Sequence, residues 1–236
     1  MTVAEIMAQL QEMGSAQTIK TFANHGAPAD KMYGVKVGDL KTIVKKVKKN
    51  HELSLALYRT GNSDAMYLAG LIADEKKITK ADLQEWVQGA YWYMLSEYTV
   101  AWIAAESPFG WELGLEWIES DAEMIADAGW ATLSHVVSLK SDDELDFAKL
   151  EELIQRVENT IHQAPNRVRY AMNGFLLSVG GYCPLLTDRV KQAANKIGKV
   201  EVNMGTTHCN VPSVPEYLKK MEARVAIGKK KKMARC

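Results

Sequence analysis

Apolar positions recur at intervals of three and four residues through most of the chain, the period of an amphipathic helix. Thr2 opens the first such segment with Glu5 three residues on, a capping-box pair, and Gly14 stops it. Ser15 to Asn24 repeats the pattern and ends at Gly26-Ala27-Pro28. Gly38 or Asp39 is placed to cap a helix through LKTIVKKVKKN, with Leu40, Ile43, Val44 and Val47 on one side and lysines around the rest. Further helices of about 10 to 18 residues follow, separated by short breaks. They are capped by Ser63 or Asp64, by Thr79, by Ser120 or Asp121, by Asp142 or Asp143, and opened by Pro165-Asn166 and Pro184. Alternating β-branched residues occur only in the brief Val200 to Val202 stretch, and no Asn-Gly or Asp-Gly turn joins two such runs. The pattern predicts an all-α chain of roughly a dozen helices. Pairing every ~35–45 residues suggests a HEAT-like α-solenoid, an α-α superhelix of stacked antiparallel helix pairs with a concave groove.

The segment Ala90 to Pro108, AYWYMLSEYTVAWIAAESP, reads as one helix. Met94, Tyr98, Ala101, Trp102 and Ala105 form an apolar stripe, and Tyr93, Glu97 and Val100 a second one about a quarter-turn away. A Tyr and a Glu at i, i+4 beside a buried face suit the wall of a groove, and equally an ordinary solvated face.

Composition narrows this picture. The chain has 236 residues, 47% of them hydrophobic, enough for a sizeable core and near the upper end for one domain. No apolar run approaches the ~20 residues a bilayer requires, and the N-terminus lacks the apolar core of a signal peptide. These features predict a cytoplasmic protein without a membrane partner. The three cysteines, Cys183, Cys209 and Cys236, form neither a disulfide framework nor a metal-ligand spacing, so no metal and no cofactor is expected.

The formal net charge is zero, but its distribution is uneven. Residues 1–50 hold eight Lys/Arg against four Asp/Glu, residues 51–160 seven against twenty-one, and residues 161–236 fourteen against four. Basic surface at both ends is available to a polyanion, and Lys45 and Lys46 are candidate phosphate contacts. Solvated helix faces account for the same lysines. Residues 1–226 read as one helical-repeat domain, and GKKKKMARC within residues 227–236 as a mobile basic tail. A P-loop, a GxSxG and a GxGxxG at a strand-to-helix turn are all absent, which excludes the corresponding kinase, hydrolase and dehydrogenase readings.

The order of YGVKVGDLKTIVKKV, AYWYMLSEYTVAWI, LEWIESDAEMIADAGWATL and NRVRYAMNGFLLSVG resembles the bacterial DNA alkylation repair family of HEAT-like alkylpurine DNA glycosylases, over roughly residues 30 to 225. GTTHCNVP resembles a segment of one branch of that family. The resemblance implies binding of alkylated double-stranded DNA across a basic concave face and release of cationic N3- or N7-alkylated purines. Aromatic faces suit such a base, and a carboxylate suits the developing sugar cation. The family's W-W-D-S-V-D-like segment falls on WYMLSE. Its second Trp becomes Tyr93 and its Asp becomes Glu97, so Glu97 and Tyr93 are the implied catalytic residues, with Trp92 in the aromatic wall. The family's groove Arg falls on Asp127, a reversal of charge, with Trp130 on the same helix face. Its later groove Trp falls on Phe175, which a helical wheel places in the apolar stripe. Asn166, Arg169, Tyr170 and Asn173 share the opposite face, suited to DNA contacts or to helix pairing. The alternative from another class is a catalytically inert solenoid that binds a protein or a structured nucleic acid.

Overall fold

A computed structural model describes residues 1–235 and, among them, thirteen α-helices and no strand. The capping chemistry decides where several begin. Thr2 and Glu5 exchange bonds at the start of α1 (Val3–Met13), Ser15 caps α2 (Ala16–Asn24), and Thr79 with Asp82 closes a second capping box at α6 (Lys80–Gly89). Other starts shift by a few residues. No side chain caps α3 (Lys41–Val47), which begins after a turn through Leu40. Asn50 caps α4 (His51–Tyr58), and Asn62 rather than Ser63 or Asp64 caps α5 (Ser63–Ile72). Asp146 caps the acidic helix α10 (Phe147–Thr160), because residues 142–144 form a separate 3-10 turn. Asp64 is thereby free to turn outward from the first turn of α5. Its carboxylate accepts the backbone N–H groups of Tyr33, Gly34 and Val35 at 2.7, 3.0 and 3.1 Å, tying the N-terminal cap to the body.

The remaining helices are α7 (Ala101–Glu106), α8 (Gly110–Trp117), α9 (Glu123–Leu139), α11 (Asn166–Tyr182), α12 (Thr187–Ile197) and α13 (Val214–Ala223). An inner row runs α5, α7 with the segment before it, α9, α11 and α13, each packed on the next. The preceding helix of each pair, α4, α6, α8, α10 and α12, completes the two-layer solenoid. The inner helices α5, α7 and α9 are buried on most sides, so their sequences are rich in Ala, Gly and large apolar residues, whereas outer helices such as α10 and α12 and the terminal α13 keep a charged face. Residues 94–106 are not one α-helix. Met94–Val100 is a π-helical segment that passes into α7 at Ala101, and Glu97 stands at its centre. Such widened turns are rare and recur at functional sites.

The basic tail departs from the expectation of mobility. It crosses the C-terminal ends of four inner helices in turn. Gly228 N–H donates to Gly181 O of α11, Lys231 N–H to Ser138 O and Lys230 Nζ to Val137 O of α9. Ala234 N–H and the Arg235 guanidinium then bind the Glu106 carboxylate at the end of α7, and Arg235 Nη1 reaches Ala73 O beyond α5 at 3.0 Å. Helix C-termini present unsatisfied carbonyls and negative dipole ends, which explains why a cationic strand settles there.

Candidate nucleic-acid site and its plugged centre

The N-terminal ends of the inner helices meet on the opposite edge from the tail. There the π-helical segment presents Glu97, α9 presents Asp127, and the first turn of α11 presents Arg167. Pro165 provides no side-chain cap to α11, so its exposed N–H groups need an acceptor from elsewhere. Glu123 of α9 supplies it, taking the Arg167 N–H at 2.6 Å. This bond fixes the start of α11 against α9 and aims the Arg167 side chain at the π-helical segment.

The Arg167 guanidinium binds Glu97 through Nε at 2.9 Å and also through Nη2. Its Cζ lies 4.1 Å from the Tyr93 ring centroid and 4.4 Å from that of Tyr170, so the cation sits between two aromatic faces. Both partners of the ion pair are close to fully buried, with side-chain exposures of 11% and 8%. Burial also raises the phenol pKa values of the two rings, that of Tyr93 to about 12, so both stay neutral.

Asp127 completes the cluster. It is fully buried, takes a 2.5 Å hydrogen bond from Ser96 Oγ on one oxygen and has no donor on the other. Burial raises its pKa well above the ordinary 3.8, and the Glu97 charge beside it adds to the shift. Burial raises Glu97 as well, against the pull of Arg167. The arrangement is therefore a neutral Asp127 beside a Glu97 carboxylate that Arg167 balances. A proton on the orphan Asp127 oxygen makes it a donor.

A loop covers this centre. Residues 199–213 cross from the end of α12 to α2 and return to α11. Asn166 exchanges two hydrogen bonds with the backbone of Asn203, Arg169 Nη1 donates to Glu201 O at 3.0 Å, and Asn173 Nδ2 donates to Pro212 O at 3.0 Å. Met204 Sδ lies 3.7 Å from Arg167 Nη1. At the far end, Thr206 N–H donates to Asn24 O. Gly205 has φ +75°, and a Cβ there would meet Asn24 O at 2.1 Å, so only glycine permits this approach.

The sequence-selected residues thus divide. Glu97, Tyr93 and Tyr170 converge. Asn166, Arg169 and Asn173 lie on the same side, and each donates a hydrogen bond to a backbone carbonyl of the loop. Trp92 belongs to a small core with Phe22 and Met32 and donates its indole N–H to His25 O at 3.1 Å, so it does not face the centre. Trp130 and Phe175 are fully buried against each other, ring centroids 5.2 Å apart, and present no surface to DNA. Lys45 and Lys46 are exposed on α3, whose C-terminal end adjoins the end of α5, away from Glu97. Arg167, Ser96 and Glu123 escaped sequence reasoning. The available signal was the three-residue spacing of Arg167 and Tyr170, which lets one helix stack its Arg on its own Tyr.

Among known proteins, residues 6–199 match the model of a family described as DNA alkylation repair enzyme. An uncharacterized protein of Listeria innocua serovar 6a is 34% identical over 229 residues, covering 95% of this chain and 99% of its own. One from Listeria monocytogenes serovar 1/2a is 35% identical over 228 residues, covering 94% and 98%. A solved structure described as a new family of proteins related to the HEAT-like repeat DNA glycosylases with affinity for branched DNA structures superposes with a TM-score of 0.90. It is 35% identical and both chains are covered completely. The chain belongs to the DNA alkylation repair enzyme family, in the part of it related to the HEAT-like repeat DNA glycosylases.

Proposed function

We propose that this protein binds branched DNA and does not excise alkylated purines. The observation that carries the reading is the position of Arg167. A planar cation between two aromatic faces, bonded to a carboxylate, is the chemical description of a cationic purine in an excision site. Here the chain's own Arg167 fills that place, and the loop over it leaves Glu97 no free face toward DNA or water. Asp127 adds no positive charge. The affinity for branched DNA described for the structural neighbour supports the choice of ligand. Lysines without an ion pair among the described residues, Lys36, Lys45, Lys46 and Lys48 near one end and Lys219 and Lys220 near the other, are available for phosphates.

The test compares a four-way junction with a linear duplex of the same sequence in gel-shift titrations, and assays methylated duplex for free 7-methylguanine. Tighter binding of the junction with no base released is the expected result. Base release that Glu97→Ala abolishes would sink the proposal and restore an active glycosylase.

A further inference from the structure

A cavity lies at the opposite edge from Glu97, walled on one side by the docked tail. Its volume is about 870 Å³, within the range of small-ligand and peptide clefts. The floor is aliphatic, from Val44 of α3, Leu71 of α5, Leu139 of α9 and Met233 of the tail. Met233 is 60% exposed, so its apolar side chain is open to a ligand at the cavity wall.

The charges around this floor do not cancel. Glu75, Glu106 and Glu144 each have a cation of their own: Lys49 and Arg235 on Glu75, Arg235 on Glu106, and Lys140 on Glu144. The Lys231 ammonium is 5.6 Å from the Tyr182 ring, and Lys230 is paired with Asp142. Lys41, Lys231 and Lys232 remain, all exposed on the cavity wall and without a carboxylate partner among the described residues. The nearby helix ends, which would repel an anion, are already covered by the tail.

We infer that this cavity docks a short acidic segment of another protein that ends in a large apolar side chain. Carboxylates of that segment pair with Lys41 and Lys232 while the apolar side chain enters between Leu71, Leu139 and Met233. Phosphodiester backbone fits less well, because its affinity comes from cations alone and it has no use for an aliphatic floor. The inference is independent of the branched-DNA reading.

Fluorescence anisotropy on the full chain tests it, with a fluorescein-labelled peptide of Asp and Glu residues followed by Leu-Phe. The expected result is saturable binding that weakens roughly tenfold in Lys41→Glu/Lys232→Glu and also in Met233→Ser, two exposed changes that leave the core intact. A peptide with Ser-Ser in place of Leu-Phe loses affinity to a similar degree. Absence of binding by the unaltered protein overturns the inference. So does binding that Met233→Ser and the Ser-Ser peptide leave unchanged, or junction DNA displacing the peptide while the lysine variants weaken both equally, since these outcomes identify a general polyanion surface.

Discussion

Arg167 is the residue on which the centre turns. Removing it leaves Glu97 buried without a counter-ion, and breaking one side of such a pair costs about 3–5 kcal/mol, whereas replacing both charges by neutral groups costs far less. Urea denaturation should therefore show Arg167→Ala strongly destabilised and Arg167→Met/Glu97→Gln substantially recovered. Asp127 gives a second prediction, with its sign set by the raised pKa. The folded protein keeps a proton there that the unfolded chain releases near 3.8, so stability falls as pH rises from that value toward the folded one. Asp127→Asn removes this contribution, and unfolding measured at several pH values should show a flatter decline than in the unaltered protein. His135, held down to about 4 by burial and by Lys231, acts in the other sense, losing its stabilisation as pH falls below 6.5. It is common to both proteins and cancels in the comparison. Helical spacing drew attention to Tyr93 with Glu97 and to the polar face holding Tyr170, and the family resemblance made Tyr93 and Glu97 site candidates. Arg167 stayed unseen because its partners, Glu97 and Glu123, are 70 and 44 residues away, a distance no local period spans. Phe175 lies in the core where the helical wheel put it, and Trp130, read as sharing the Asp127 face, is a core residue because its helix is enclosed by its neighbours.

At the level of elements, the π-helical segment is held by close contact with α5. A Cβ added to Gly70 would meet the Thr99 side chain at 2.9 Å and its Cα at 3.1 Å, so the two backbones touch where no side chain separates them. Gly70→Ala must push them apart, with a cost of about 1–3 kcal/mol for overpacking, and a thermal melt will read it as a lowered midpoint. Because Glu97 lies within the displaced segment, the same variant should alter the environment of Tyr93 in near-ultraviolet circular dichroism. Helix number and order were legible from apolar period and caps. The widened turn was not, since the residues themselves are compatible with an ordinary α-helix.

For the whole molecule, the tail is the feature that composition misrepresents. A run of four lysines reads as a solvated end, yet Arg235 closes an ion-paired cluster with Glu106 and Glu75. Burial alone would raise the pKa of Glu75, but bonds from Lys49 and Arg235 outweigh it and hold the carboxyl down at about 2. Deleting residues 229–236 removes that cation together with the caps on α9 and beyond α5. The expected loss is about 3 kcal/mol or more, most of it reproduced by Arg235→Ala, and urea unfolding of the three proteins checks it. On α3, Lys45→Ala/Lys46→Ala should lower the slope of log affinity for junction DNA against log salt by about two, one for each phosphate left without its lysine.

A stack of helix pairs held only by neighbours frays from its ends and unfolds in steps, since its energy is a sum over adjacent units. This chain adds ties that bypass the stack. Arg235 reaches a carbonyl 165 residues earlier at Gly70, and Thr206 binds the carbonyl of Asn24 near the other end. Such contacts raise the contact order, slowing folding because distant segments must find one another, and in exchange they link the first repeats to the last in one cooperative unit. The segment that crosses the inner helices thus completes the circuit, and fluorescence of the six tryptophans and far-ultraviolet circular dichroism should report a single shared unfolding transition.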